Sequence, residues 1–354
     1  MNSILEKCLA DLDARLDPAQ EQANGEAWRS FLDNELDGEL KQGIFTPPPR
    51  KPAPPKTAWP NVHTNDAHED PELMLLSQFG AVSDKLAAGS TAALGVRCNY
   101  GVGITASQFC CKIVLMPREQ GDLPAPLPLG GAEAVRRALD AGVPDVRAGL
   151  GAAVLDTAEM FLDAMRRYEN VGRWVSLYHP DAQGPIDTAE VVWGSDVFLA
   201  LYDEPELLGD FLDLVCDQYE ALMRAWFALA GPPGDMPVHW ALRHRGTLMI
   251  RNDSLMNLPP EVYERLIRPR DQRLFDTLGG GAVHFCGRGD HYIEAMSGLR
   301  GLTAIQMSQP HLNDMETIFA NTVDKGIKLV GFHRQAAEAA VKAGRDLKGQ
   351  VHCA

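Results

Sequence analysis

TLMIRNDSLMNLPPEVYERLIRPRDQRLFDTLGGGAVHFC, residues 247–286, holds one strand–helix–strand unit. TLMIR (247–251) and AVHFC (282–286) are short, apolar runs with β-branched or aromatic residues and turn signals nearby, so both read as buried strands. Between them, Pro259 and Pro260 are tolerated only in the first turn of a helix, whose inner face is Val262, Leu266 and Ile267. A helix between two such strands implies parallel pairing and a right-handed crossover.

The same alternation extends both ways. WVSLYH (174–179), PVHWAL (237–242), LTAIQM (302–307), IKLVGF (327–332) and QVHC (350–353) are further strand candidates. A long helix is expected from Asp203 to Ala230. Asp203 and Glu206 form a capping-box signature, and Leu208, Leu212, Val215, Tyr219, Leu222 and Trp226 form one buried stripe with Cys216 beside it. GVG at 101–103 and GGG at 279–281 lack the context of a dinucleotide fingerprint. The expected fold is therefore α/β, a closed (β/α)8 TIM barrel rather than an open sheet. A chain of 354 residues can form such a barrel as one domain.

Residues 1–45 read as helices with acidic faces. FTPPPRKPAPPKTAWP (45–60) follows, and its prolines favour extended chain. Phe45 and Trp59 flank this stretch as apolar anchors, which favours an ordered arm over a free linker. The expected organisation is an N-terminal helical and Pro-rich arm over 1–60 and a barrel domain over 61–354.

The net charge of −15 excludes a sequence-independent nucleic-acid binder and a binder of anionic membrane surfaces. There is no apolar run of about 18 residues, and MNSILEKCLADLDARLD has no apolar signal core. A soluble, cytoplasmic protein is expected. Cys8, Cys98, Cys110, Cys111, Cys216, Cys286 and Cys353 are odd in number and irregular in spacing, which argues against a disulfide framework and for a reducing compartment.

Chemistry-bearing residues cluster at predicted strand ends. His284 and Cys286 are two apart on a strand, so both side chains face one way, and Gly287 then lets the chain turn. Imidazole and thiolate together suit zinc, and a catalytic zinc needs three protein ligands. Cys353 is the leading third candidate, with His333 and His352 as alternatives. His352 and Cys353 point to opposite faces, so only one of them can ligate. The bland reading of H-x-C is a packed strand. Asp181 and Gln183 follow Tyr178 at another strand end, where the choice is substrate contact or a turn with Asp187 or Thr188 as helix cap. Arg251 and Asp253 form an i, i+2 pair, either a carboxylate holder and proton relay or a surface ion pair. Arg97 and Tyr100, just before and within the glycine-containing stretch NYGVGITASQF (99–109), are pocket or plain-loop residues. No Ser/His/Asp triad, P-loop or H-E-x-x-H pattern is visible.

QGP with a helix-capping run (183–190), DEPELL (203–208), S-x-x-N-L-P-P-E-V-Y-E-R-L-I-R-P (254–269) and HFCG (284–287) together resemble the uroporphyrinogen decarboxylase superfamily of TIM barrels. HFCG is similar to the H-x-C-G of its corrinoid methyltransferase branch. The R-Q-A-G-R-Y loop of the decarboxylase branch has no counterpart, and Arg50 stands alone there. The resemblance implies zinc held by His284, Cys286 and Cys353, and methyl transfer between a small substrate or thiol and a corrinoid carried by a partner protein. Asp181, Gln183, Arg251 and Asp253 would orient substrate, and Arg97, Tyr100, Tyr178 and His333 would bind it. The alternatives are a metal-free carboxy-lyase acting on a tetrapyrrole or other carboxylated substrate, and a non-catalytic tetrapyrrole-binding barrel. A homodimer is the expected assembly of a soluble enzyme.

Overall fold

A computed structural model of the chain describes residues 3–41 and 43–353. Twelve short strands are described: β1 (Ile44–Phe45), β2 (Gly95–Val96), β3 (Lys112–Val114), β4 (Ala125–Leu127), β5 (Ser176–Leu177), β6 (Val238–His239), β7 (Leu242–Arg243), β8 (Leu248–Arg251), β9 (Gly281–Phe285), β10 (Leu302–Met307), β11 (Lys328–Leu329) and β12 (Val351–His352). Six of them form one parallel sheet in the order β1-β12-β11-β10-β9-β8. β2 and β5 form a separate parallel pair, while β3–β4 and β6–β7 are antiparallel hairpins. Among the described residues, no ladder joins the β2–β5 pair to the large sheet, so the hydrogen-bonded strands do not close into a ring.

The stretch 247–286 forms the predicted unit. β8 and β9 pair in parallel, and helical chain runs from Pro260 to Leu278, with a wider π-type turn over Tyr263–Ile267 ahead of Pro269. Helix Pro205–Ala230 buries its predicted stripe, Leu208 to Trp226. The capping box does not form. Pro205 lacks a backbone N–H and occupies the first turn, so the helix starts there, and Asp203 instead ends the preceding helix Val197–Asp203. PVHWAL also differs from expectation. It supplies β6 and the turn of a tight hairpin, with Trp240 at φ 53°, rather than a strand of the main sheet.

The inward face of the large sheet is built from Phe45, Met249, Ala282, Ala304 and Val330. It is filled by Trp28, Phe31 and Leu32 of helix Pro18–Leu32. Phe45 stacks on Phe31 and pairs in β1 with β12, so the residues just before the Pro-rich segment are part of the sheet. In the extended segment that follows, Arg50 is buried. It grips both carboxylate oxygens of Glu21 at 2.5 and 2.8 Å and donates to Ser90 O and Ala92 O. All seven cysteines are free. No helix among the described residues is long and apolar enough to cross a membrane.

Candidate metal centre

Register places the site. Arg251, His284 and Gln306 are direct neighbours across β8, β9 and β10. Neighbours in register share a face, so these three polar side chains continue the inward column that Met249, Ala282 and Ala304 begin. Past β9 the chain turns at Gly287 (φ 75°), where a Cβ would lie 2.5 Å from the Met256 sulfur. Past β8, Asn252 leads into a 3-10 turn, Asp253–Asn257. The Asp253 carboxylate reaches back and accepts the Cys286 N–H at 2.7 Å.

The result is a triad. His284 Nε2 lies 3.4 Å from Cys286 Sγ and 3.3 Å from Asp253 Oδ1, and one ligand atom from each residue falls within 4.8 Å of the others. With zinc about 2.0–2.1 Å from nitrogen, about 2.0 Å from oxygen and about 2.3 Å from sulfur, a regular tetrahedron has N···S edges of about 3.5 Å and N···O edges of about 3.3 Å. The two measured edges match those values. His284 Nδ1 hydrogen-bonds the Gln306 side-chain carbonyl oxygen. That oxygen only accepts, so Nδ1 carries a proton, and Nε2 is the nitrogen that faces the triad and would bind a metal on giving up its own proton. One imidazole, one thiol and one carboxylate, with Asp253 about half exposed, make a three-ligand set with an open side.

The electrostatics agree. Burial alone would hold the His284 pKa down, but the hydrogen bond and charge of Asp253, with Cys286 adding to them, raise it to about 9. Burial works the other way on Asp253, and its contacts with His284 and Cys286 hold it below the usual carboxylate range. Without metal the pair is therefore imidazolium and carboxylate.

Beside the triad, Asp181 bridges two arginines, with one oxygen on Arg97 and the other on Arg251. Burial opposes both guanidinium charges. Trp240 links this cluster to the triad: the Arg251 guanidinium lies 5.1 Å from its ring, and the ring meets His284 edge-on at 5.0 Å. Tyr178 packs close to Arg97, and burial pushes its phenol pKa up. A cavity of about 400 Å³ is lined by Gln183, Asp187, Asp253 and Ser254 together with the rim residues Val102 and Pro126.

Of the residues singled out from sequence, His284, Cys286, Asp253, Arg251, Asp181, Arg97, Tyr178 and Gln183 gather around this centre. The others lie elsewhere. The Tyr100 hydroxyl bonds Thr157 inside the helical layer, and His333 is exposed at the start of helix Arg334–Lys342. Cys353 is outside the triad. Its neighbour His352 takes the inward face, against Trp28 at 4.3 Å, which turns the Cys353 side chain to the outer core; burial pushes that thiol to about 11. Sequence reasoning missed the role of Asp187. This buried carboxylate accepts the N–H groups of Asp253 and Ser254, both at 2.8 Å, and so fixes the turn that carries Asp253. Burial and the charge of Asp253 raise its pKa to about 7. Asp271, which accepts from the Asn252 amide at 2.9 Å, is likewise raised by burial, to about 8. Gln306 and Trp240 were also missed, since each reads as an ordinary strand residue.

The fold has a solved counterpart. A methyltransferase from Methanosarcina mazei superposes with a TM-score of 0.60 at 16% identity, covering 92% of this chain and 90% of that one. At that identity the likeness is one of fold. No protein-family model matches the sequence, and no curated protein matches it.

Proposed function

We propose that the chain is a zinc-dependent methyltransferase of the uroporphyrinogen decarboxylase-like type, moving a methyl group between a small substrate or thiol and a corrinoid on a partner protein. The Asp253–His284–Cys286 triad, with its near-tetrahedral edges, carries the reading. Its fold counterpart bears the name of a methyltransferase, which agrees with it. Zinc held there would supply Lewis acidity and lower the pKa of a thiol bound at the open side. The chain's own residues do the rest. Gln306 holds the His284 tautomer, and Asp187 holds the Asp253 turn. Trp240 packs against both the triad and the arginine cluster, and Arg97, Arg251, Asp181 and Gln183 orient substrate.

We read the architecture as a (β/α)8 barrel whose ring is completed by β2 and β5 without continuous ladders. The chain leaving β5 supports this: Met249 N–H donates to His179 Nε2 at 3.4 Å and Gly184 N–H to Arg251 O at 2.8 Å, which brings 179–184 alongside β8. In this reading residues 1–60 form the arm and 61–354 the barrel of a cytoplasmic enzyme, with a homodimer as its assembly.

A second reading, a metal-free carboxy-lyase, is favoured by one observation: Asp187 borders the cavity with a pKa near 7, the range of a general acid. The two readings part on metal. Protein purified without chelator should carry about one zinc per chain and methylate a thiol from methylcobalamin, and the double variant His284→Ala/Cys286→Ser should do neither. Carbon dioxide release from a carboxylated pyrrole by chelator-treated protein would overturn this in favour of the lyase.

A further inference from the structure

His284 and Cys286 stand at the C-terminal end of β9. A different cavity, of about 350 Å³, is lined by Ser176 at the start of β5, Tyr178 and His179 past its end, Thr247 just before β8, His239 and Arg243. Ser176, Met236 and Arg243 also line a neighbouring cleft of about 420 Å³, so Arg243 sits where the two meet.

Arg243 differs from the other inward arginines. Arg50 and Arg251 are each ion-paired to a carboxylate. Arg243 has no ion pair among the described residues, and its hydrogen bond there is Nη1 to Met236 O at 3.0 Å. Glu21, a nearby acid, has both oxygens engaged by Arg50. Arg243 Nε is buried with no partner. The Nε–Nη2 edge of the guanidinium is therefore unpartnered, and a guanidinium fork grips a carboxylate or phosphate in bidentate fashion.

His239 lines the same cavity and is 1% exposed. Its protonation can be read from its neighbours. His244 Nδ1 contacts Arg245 O at 2.9 Å, and a carbonyl only accepts, so this nitrogen carries hydrogen. His244 Nε2 is then an acceptor, and His239 Nδ1 donates to it at 2.7 Å. The lone pair is left on His239 Nε2, which is buried and has no partner. An unpartnered cationic edge and an unpartnered acceptor thus belong to two residues that line one cavity, and buried polar groups are as a rule satisfied. Arg173, exposed at the mouth of the adjoining cleft and packed on Trp174 at 4.8 Å, adds positive charge there.

We propose that this cavity binds a small oxyanion that also carries a hydrogen-bond donor, a hydrogen phosphate or an α-hydroxy carboxylate. Arg243 grips the oxyanion and His239 Nε2 accepts the donor. Asp253, His284 and Cys286 do not line this cavity, although Tyr178 borders both, so its ligand regulates or stabilises rather than reacts.

Calorimetric titration of the full chain with inorganic phosphate and, separately, glycolate tests this, at constant ionic strength with sodium chloride as reference. The expected result is saturable binding of one anion per chain for at least one probe. Arg243→Lys keeps the charge but loses the fork and should weaken it at least tenfold; Arg173→Gln, at the exposed mouth, should weaken it severalfold without disturbing the fold. Absence of saturable binding of both probes to the wild type overturns the proposal, whatever the variants do. So does binding that Arg243→Lys leaves unchanged, since the anion would then sit elsewhere. If Arg243→Lys does not fold, wild-type crystals grown with the bound probe decide: density on Arg243 Nε supports the site, and water alone there overturns it.

Discussion

At the scale of single residues, His284 carries most of the argument, and Gln306 decides which of its nitrogens faces the triad. Replacing Gln306 by Ala removes the side-chain acceptor of Nδ1–H and leaves only the backbone carbonyl of the same residue, at 3.2 Å. Metal affinity should fall about 10- to 100-fold while the fold persists, as competition with a chromogenic chelator would show. The pH dependence follows from the same imidazole. Its pKa is raised to about 9, so below that pH a metal must displace a proton from His284. Zinc affinity should therefore rise about tenfold per pH unit from this residue alone and level off above about pH 9. A flat profile between pH 6 and 8 would remove His284 from the ligand set. The pair His284/Cys286 was legible because i, i+2 spacing on a strand fixes a shared face. Asp253 was legible only as a partner of Arg251, because its approach to the triad depends on the turn after β8 and on Asp187, 66 positions earlier. Cys353 lies outside the triad, because the inward packing of His352 on Trp28 decides which face each takes.

At the scale of elements, helix Pro18–Leu32 is the least expected feature. It reads as acidic from sequence, yet Trp28 and Phe31 are fully buried on the inward face of the sheet. Its attachment rests partly on the buried Glu21–Arg50 pair. Glu21→Ala leaves Arg50 charged and unpaired, and unfolding in urea should show a loss of about 3–5 kcal/mol. A loss below about 1 kcal/mol would mean that water replaces the carboxylate. The long helix Pro205–Ala230 was legible from its stripe, since a 3.6-residue repeat survives any context. Its start was not, because a proline at the first helical position outranks a capping box that begins two residues earlier. The β6–β7 hairpin was hidden for another reason: Trp240 takes a positive φ that sequence rules assign to glycine, and its ring packs between Arg251 and His284.

At the scale of the molecule, alternating strands and helices were enough to indicate a parallel α/β architecture. Ring closure was not legible, because it depends on whether two-residue strands such as β2 and β5 meet their neighbours edge to edge. The apolar core runs through the helical layer and both faces of the sheet, and the three triad residues are not among its members. Removing metal should thus leave the far-ultraviolet circular dichroism unchanged and lower Tm only by the binding linkage, a few degrees at most. Collapse of the fold in chelator would make the metal structural instead. The most direct test of the whole account is X-ray absorption on zinc-loaded protein. The predicted spectrum has one sulfur at about 2.3 Å with nitrogen and oxygen ligands at about 2.0 Å, and it disappears in His284→Ala/Cys286→Ser. Failure to load zinc would contradict the metal centre, and two sulfurs in the shell would contradict the role given to Asp253.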